Sequence, residues 1–197
     1  MKIIQIKNPI EYFKNEKKFN ETIEAIRDGF GSEMTKEDCY NHLISPDKLF
    51  LVEENNEIKG MASYSNINIG ENILFAEGAA FKKEVQGKGL FKQITKLILN
   101  DERFIGLKTQ NPRMYKALES MCSNISPRFG KDSLYYKKMR FGRSLNILTD
   151  EYGVSRGFYG TSLYSEIPQA DKITMNLFEM LNIDYKKGDS LICLGKL

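Results

Sequence analysis

The sequence predicts an α+β fold, with a central mixed, mostly antiparallel sheet flanked by helices and a C-terminal extension. The main observation is a series of three strand patterns, at residues 49–52, 58–64 and 72–81, joined by short turns. Strands that follow each other through short turns pair antiparallel, as a meander. Residues 90–100 then place apolar side chains on one helical face. Strands followed by amphipathic helices indicate a sheet covered by helices.

The remaining elements extend this pattern toward both ends of the chain. Residues 2–6 alternate as an opening strand, and residues 9–30 have helical spacing that ends at two glycines. Thr35 and Asp38 form a capping-box pattern that opens a short helix. Further strands are predicted at 104–108, 133–139 and 190–194, and further helices after Asn111-Pro112 and at 170–181.

Length and composition indicate one domain over residues 1–197, with residues 141–170 as a candidate insertion or lid inside it. Three interpretations of that Gly-, Ser- and Tyr-rich segment stay open: an acceptor-pocket lid, a dimer contact, or an ordered surface loop.

The N-terminus is too short and polar for a signal peptide, and no apolar run approaches the roughly 20 residues of a membrane span. The expected location is therefore the cytoplasm, without membrane contact.

Charge and metal-binding residues exclude several classes of function. The 29 basic and 26 acidic side chains give a formal net charge of +3, too balanced for a nucleic-acid-binding surface. His42 is the only histidine and the 3 cysteines form no CxxC pair, so no metal site is predicted. Free, mostly buried thiols are expected instead.

One loop carries the functional prediction. After the strand at 72–81 and a short charged link, the chain reads Gln86-Gly87-Lys88-Gly89 and then enters an amphipathic helix. The two glycines let successive backbone N–H groups point into one concavity, and the helix start adds further N–H groups and the positive end of its dipole. This combination suits a phosphate or pyrophosphate. A plain turn is the simpler alternative, since two glycines alone are weak evidence.

The stretch Gln86-Gly87-Lys88-Gly89-Leu90-Phe91 resembles motif A of the GNAT superfamily of acyl-CoA N-acyltransferases. That motif reads Gln/Arg-x-x-Gly-x-Gly/Ala, and Phe91 stands here in place of its final small residue. Residues 109–118 resemble the family's motif B, in which an asparagine opens a helix beside the thioester arm. The resemblance covers about two-thirds of the chain, from residue 2 to residue 139.

The resemblance implies acetyl-CoA as co-substrate and assigns its contacts. Backbone groups of Ala79 and Phe81 would bind the pantetheine arm, and the backbone from Gln86 through Gly87, Lys88, Gly89 and Leu90 to Phe91 would hold the pyrophosphate. Asn111 and Tyr115 would lie beside the thioester.

Two catalytic residues are predicted. Glu77 shares a strand face with Phe81, and it is the candidate base that takes the proton of the attacking amine. An ordinary solvated or salt-bridged strand residue is the alternative interpretation. Relatives commonly have a tyrosine acid seven residues after the motif B asparagine, where this chain has Leu118. Tyr115, one turn earlier, is the candidate acid, and simple packing of its ring is the alternative.

The sequence therefore predicts an N-acetyltransferase that works by direct attack of an amine on acetyl-CoA in a ternary complex. The expected acceptor is a small-molecule or peptide amine, with no nucleic acid and no membrane partner; a homodimer is a further open prediction. Two other hypotheses stay open: an acyl-CoA-binding module without turnover, and an unrelated phosphate-binding domain with no preference for coenzyme A over ADP.

Overall fold

The computed structural model describes all 197 residues and contains eight strands and seven α-helices. The chain divides into two compact units, the first formed by Met1–Ser65 and Ala76–Leu99 and the second by Asn66–Phe75 and Asn100–Leu197. The fold is α+β, with a mixed, mostly antiparallel sheet flanked by helices, which confirms the predicted class.

The first unit is built on an antiparallel meander. Its strands occur in the order β1 (Lys2–Ile6), β2 (Lys48–Glu54), β3 (Glu57–Asn68) and β4 (Asn72–Phe81), of which residues 66–68 and 72–75 belong to the second unit. Leu51 of β2 lies opposite Ile4 of β1 on one side and Met61 of β3 on the other. The helices of this unit are α1 (Pro9–Tyr12), α2 (Glu16–Phe30), α3 (Lys36–Ile44) and α4 (Leu90–Ile98), with a short 3-10 helix at Lys83–Val85.

Local signals set the ends of these helices. The side chain of Asn15 caps α2 by accepting from Lys18 N at 3.2 Å, and Gly31 ends it in the left-handed conformation at φ 64°. The predicted cap at Thr35 is confirmed, because its Oγ1 accepts from Asp38 N at 3.0 Å. The inner faces of α2 and α3 then pack on β2 and β3 to form one apolar core, which includes Ile23, Ile26, Leu43, Leu49, Leu51, Ile58 and Met61.

The second unit is organised around a buried C-terminal strand. β8 (Ser190–Lys196) pairs antiparallel with β5 (Phe104–Thr109) and with β6 (Asn124–Ser126), and the two-residue β7 (Val154–Ser155) also pairs with it. Every residue of β8 except Lys196 is buried. The helices of this unit are α5 (Pro112–Glu119), α6 (Tyr135–Ser144) and α7 (Lys172–Met180).

Two expectations about elements were wrong. Residues 9–30 are two helices rather than one, because the side-chain cap of Asn15 begins α2 separately from α1. Most of the strand predicted at 133–139 is the start of α6, in which Lys138 and Phe141 are buried about one helical turn apart, with the buried Leu134 as the N-cap. The short strands β6 and β7 were not predicted.

None of the helices combines the length and the apolar character needed to cross a membrane.

Candidate functional site

The C-terminal half of β4 presents a partly exposed face. Glu77, Ala79 and Phe81 alternate along it and are each half-buried, whereas Ala80 between them is buried at 4% exposure. The Glu77 carboxylate accepts a hydrogen bond from the hydroxyl of Ser65 on the neighbouring strand β3. The predicted base is therefore an accessible carboxylate with a defined orientation.

The end of β4 is packed tightly against two glycines. A Cβ atom added to Gly29 of α2 would lie 2.8 Å from Phe81 O, and one added to Gly60 of β3 would lie 2.4 Å from the Phe81 ring. The side chain of Gln86 ties the following loop to the same point, because its Nε2 donates to Phe81 O at 2.9 Å and to Gly29 O at 3.3 Å. The position of Phe81 is thus set by backbone contacts on both sides.

The loop after β4 opens directly into α4. Residues 86–89 are all exposed, Gly87 and Gly89 have positive φ values of 77° and 70°, and Gly89 occupies the N-cap position. No side chain caps this helix, so no side-chain oxygen satisfies the N–H groups of its first turn. A Cβ at Gly87 or Gly89 would meet nothing within 4 Å. The loop therefore presents backbone donors and the positive end of the α4 dipole to open space.

The two apolar residues of the motif belong to the core rather than to the loop surface. Leu90 and Phe91 are buried at 4% and 5% exposure. The Phe91 ring stacks on that of Tyr64 with the centroids 6.3 Å apart, and Tyr64 Oη is 3.0 Å from Thr95 Oγ1. The larger residue at position 91 is thus accommodated by packing on the inner side of α4, opposite the exposed backbone of residues 86–89.

Asn111 and Tyr115 lie in the second unit, at the start of α5. Asn111 is the N-cap, as predicted, and its Oδ1 accepts from Arg113 N at 2.9 Å, with Pro112 at the first helical position. Its own backbone N donates to Thr109 Oγ1 at 2.8 Å, which fixes the turn from β5 into the helix. A hydrogen bond joins the side chains of Asn111 and Tyr164.

Tyr115 is buried at 3% exposure, and its hydroxyl donates to Pro127 O at 2.6 Å. Its ring packs edge-on against Phe178 of α7, and burial raises its pKa above the usual range. Leu118, one turn later, is fully buried. The phenol of Tyr115 is therefore engaged inside the second unit, which agrees with the packing alternative for this residue.

Within residues 141–170, the candidate insertion or lid, residues 157–169 contact the β5–α5 junction and are here named the strap. Lys108 Nζ lies 3.7 Å from the centroid of the Phe158 ring, Leu163 N donates to Gln110 Oε1 at 2.9 Å, and Arg113 Nε donates to Gln169 O at 2.7 Å. The only sequence signal for it was the set of tyrosines in a Gly-rich stretch.

The predicted site residues thus fall into two groups. The first unit brings together Glu77, Ala79, Phe81 and the loop from Gln86 to Phe91, and the second unit contains Asn111 and Tyr115.

Comparisons with protein-family models and with curated proteins give no match. Among solved structures, the NatB acetyltransferase complex bound to a bisubstrate inhibitor matches with a TM-score of 0.55 and 14% identity, over 100% of this chain and 90% of that chain. A GNAT family acetyltransferase from Elizabethkingia anophelis with acetyl-CoA bound matches with a TM-score of 0.49 and 15% identity, over 100% and 97% of the two chains.

A third structure is the diaminobutyrate acetyltransferase EctA from Paenibacillus lautus, in complex with L-2,4-diaminobutyric acid and coenzyme A. It matches with a TM-score of 0.46 and 14% identity, over 99% of this chain and 95% of that chain. At these identities the likeness concerns the arrangement of the backbone. The match to the NatB complex extends over the full length of this chain, which therefore shares the backbone fold of that acetyltransferase structure.

Proposed function

We propose that this protein is an N-acetyltransferase that transfers an acetyl group from acetyl-CoA to an amine by direct attack in a ternary complex. The observation that carries the proposal is the exposed glycine loop at the uncapped start of α4, directly after β4, in a chain with an acetyltransferase fold. A negatively charged group is stabilised at such a helix start by backbone N–H groups and by the helix dipole.

In this proposal the cofactor is held mainly by backbone groups. The N–H groups of residues 86–91 hold the pyrophosphate, and the exposed Lys88 adds a positive charge beside it. Ala79 and Phe81 contact the pantetheine arm through their backbone. Phe81 O already accepts from Gln86 Nε2, but a carbonyl oxygen has a second lone pair and can accept another hydrogen bond.

The chemical step requires a neutral amine, whereas a free alkylamine has a pKa of about 10.4. Glu77 takes the proton of the amine, and the hydroxyl of Ser65 keeps its carboxylate oriented. The amine nitrogen attacks the thioester carbon, the C–S bond breaks, and coenzyme A leaves as a thiol after protonation from solvent.

The cysteines support direct attack rather than an acyl-enzyme. Cys39 and Cys193 are fully buried, and burial raises the pKa of Cys122 to about 12. A thiol with such a raised pKa contains little thiolate at neutral pH and is a poor nucleophile.

An acyl-CoA-binding module without turnover is the second candidate. Two features of α5 favour it: the Tyr115 hydroxyl is bonded to Pro127 O, and Leu118 is fully buried. Neither position therefore offers an available phenol for the leaving thiolate.

Isothermal titration with acetyl-CoA, coenzyme A and ADP tests the cofactor assignment. We expect acetyl-CoA and coenzyme A to bind much more tightly than ADP, because the pantetheine contacts on β4 add to those of the pyrophosphate. Equal affinity for all three would favour an unrelated phosphate-binding domain, and no binding of any of them would mean that the loop is only a turn.

Turnover is tested by release of coenzyme A thiol with a panel of small amines and peptide N-termini. The Glu77→Gln variant should bind acetyl-CoA normally but lose about 100-fold or more in kcat/KM for the best amine, as expected for loss of a general base. Glu24→Gln, which removes an exposed carboxylate of α2 in the same unit, is the matched control. Full activity of Glu77→Gln would exclude Glu77 as the base, and the absence of amine-dependent release by the wild type would favour the binding module.

A further inference from the structure

The second unit contains a cavity beside the C-terminal half of α5, here named the α5–α7 cavity. It has a volume of about 360 Å³ and is bounded by α5, α7, β6 and the residues that follow β6. β6 is the last strand of the sheet, so no further strand covers this side. Pockets that bind small molecules have volumes of about 300–1,000 Å³. The cavity is therefore large enough for a compact organic molecule.

Much of the lining of the α5–α7 cavity is apolar. Tyr115, Ile125 and Leu177 line it and are buried in the unit. Ile173 and Phe129 also line it, but these side chains are 70% and 44% exposed. Covering exposed apolar surface with another apolar group is favourable, because it removes that surface from water. The cavity therefore favours a ligand with an apolar body.

Three polar side chains of the lining already have partners within the protein. Thr174 Oγ1 donates to Asp171 Oδ2 at 2.9 Å, and Ser123 Oγ donates to a backbone carbonyl of β8 at 3.1 Å. The carboxylate of Glu119 forms an ion pair with Lys116 at 2.6 Å. These groups do not require a ligand to complete their hydrogen bonds.

Arg128 is the cation that lines the cavity, and it differs from these groups. It is exposed, its Nη1 donates to Asn124 Oδ1 at 2.8 Å, and it forms no ion pair. Asp132, an acid four positions later, instead accepts from Ser126 Oγ at 2.5 Å and from Leu134 N at 3.0 Å. A guanidinium has five N–H donors and pairs with a carboxylate through two of them. Most of the donors of Arg128 therefore stay available for an anionic ligand.

We infer that the α5–α7 cavity binds a small monocarboxylate with a compact apolar body, such as an arylalkyl carboxylate. The apolar body covers Ile173 and Phe129, and the carboxylate pairs with Arg128. The charge of the arginine selects the acid over a neutral molecule of the same shape, and the apolar lining selects it over a bare carboxylate. The site contains none of the proposed cofactor contacts on β4 or in residues 86–91, so it does not depend on the proposed function.

Isothermal titration of the full-length wild type with three probes tests the ligand class. 3-Phenylpropionate should bind about 5-fold or more tightly than the neutral 3-phenylpropionamide, because a charge-assisted bond to arginine is stronger than a neutral one. Acetate, which has the carboxylate without the ring, should bind much more weakly than 3-phenylpropionate.

Three variants assign the two parts of the site. Arg128→Gln should abolish the preference for the acid over the amide. Arg143→Gln is the matched control, because it removes an exposed arginine of α6 that does not line the cavity, and it should keep the preference. Ile173→Gln replaces a side chain that is 70% exposed, so folding should be unaffected, and it should weaken binding of the acid and the amide together.

The position of the ligand is tested by fluorescence. The chain contains no tryptophan, so Phe129→Trp introduces a single reporter into the lining of the cavity. Addition of 3-phenylpropionate should change the tryptophan emission in a saturable way, with the Kd that calorimetry gives for the same variant.

Several results would overturn the inference. They are the absence of heat with 3-phenylpropionate at millimolar concentration, equal affinity of the wild type for acid and amide, and an unchanged preference in Arg128→Gln. Binding that leaves the Phe129→Trp emission unchanged would place the ligand elsewhere and would also overturn it. Titration of Arg128→Gln with acetyl-CoA should match the wild type, so failure of either proposal leaves the other intact.

Discussion

Lys138 places a cationic side chain inside the second unit. It is 1% exposed, its Nζ donates to Tyr152 O at 2.6 Å, and a Cβ added to Gly153 would lie 2.9 Å from that nitrogen. Glycine at position 153, with φ 87°, therefore provides both the turn and the space for the ammonium group. Burial lowers the pKa of Lys138 below its ordinary value of 10.5.

The lowered pKa predicts a pH dependence of stability. Between the folded-state pKa and 10.5 the unfolded chain binds more protons at this position than the folded protein does, so folding becomes more favourable as pH rises. In urea unfolding, the free energy of unfolding of the wild type minus that of Lys138→Met should therefore increase toward pH 10.5. Methionine has a similar length and no charge, so every other titrating group cancels in the difference. A difference that is constant from neutral pH to pH 10.5 would contradict the lowered pKa.

Among single residues, the sequence predicted those features that depend on residues a few positions away. The cap at Asn111 and the glycine loop at 86–89 were visible because both patterns are complete within a few positions. The bond between Asn111 and Tyr164 was not visible, since it joins α5 to a segment without a regular secondary-structure pattern. Glu77 and Tyr115 stay predictions as catalytic residues, and their surroundings differ: Glu77 is partly exposed and Tyr115 is buried.

At the scale of elements, the approach of α2 to the end of β4 depends on Gly29. No side chain fits there, because a Cβ would lie 2.8 Å from Phe81 O and 2.9 Å from Phe81 N. Gly142 in α6 is a helical glycine without this restriction, since its nearest neighbour would be Ile192 Cγ1 at 3.8 Å, an ordinary contact.

These two glycines should respond oppositely to alanine. Gly142→Ala should raise the free energy of unfolding by up to about 1 kcal/mol, because alanine favours a helix over glycine. Gly29→Ala should lower it by about 1–3 kcal/mol, as overpacking does, and should also weaken acetyl-CoA binding if Phe81 contacts the pantetheine. Chemical denaturation and isothermal titration of both variants measure the two effects. Equal stability changes in both variants would contradict the tight contact between α2 and β4.

Helix and strand patterns predicted most elements of the chain but misidentified α6. Its first residues, Tyr135 and Tyr136, are aromatic and also suit a strand. The helix is favoured by burial, because Phe141 fits over Gly106, where a Cβ would lie 2.3 Å from the ring. That contact joins α6 to β5, and no short window of sequence contains both residues.

For the whole molecule, binding of acetyl-CoA should raise the thermal stability of the folded protein. At acetyl-CoA concentrations about 100-fold above Kd, binding to the folded state contributes about 2.7 kcal/mol. For a chain of 197 residues this corresponds to a rise in Tm of about 5–10 °C. ADP at the same concentration should give a smaller rise, and Glu77→Gln should show the same rise as wild type. An equal shift with ADP, or none with acetyl-CoA, would contradict the cofactor assignment.

Local sequence patterns were sufficient to predict the α+β class, the meander, the glycine loop and the caps of α3 and α5. Each of these depends on turns, caps and hydrophobic periodicity, which act between residues a few positions apart. The pairing of β8 with both β5 and β6, the burial of Lys138 and the contact of the strap with Gln110 became visible only in the folded chain. These features join distant parts of the chain, and they are selected by the burial of apolar surface and the pairing of buried polar groups in the complete fold.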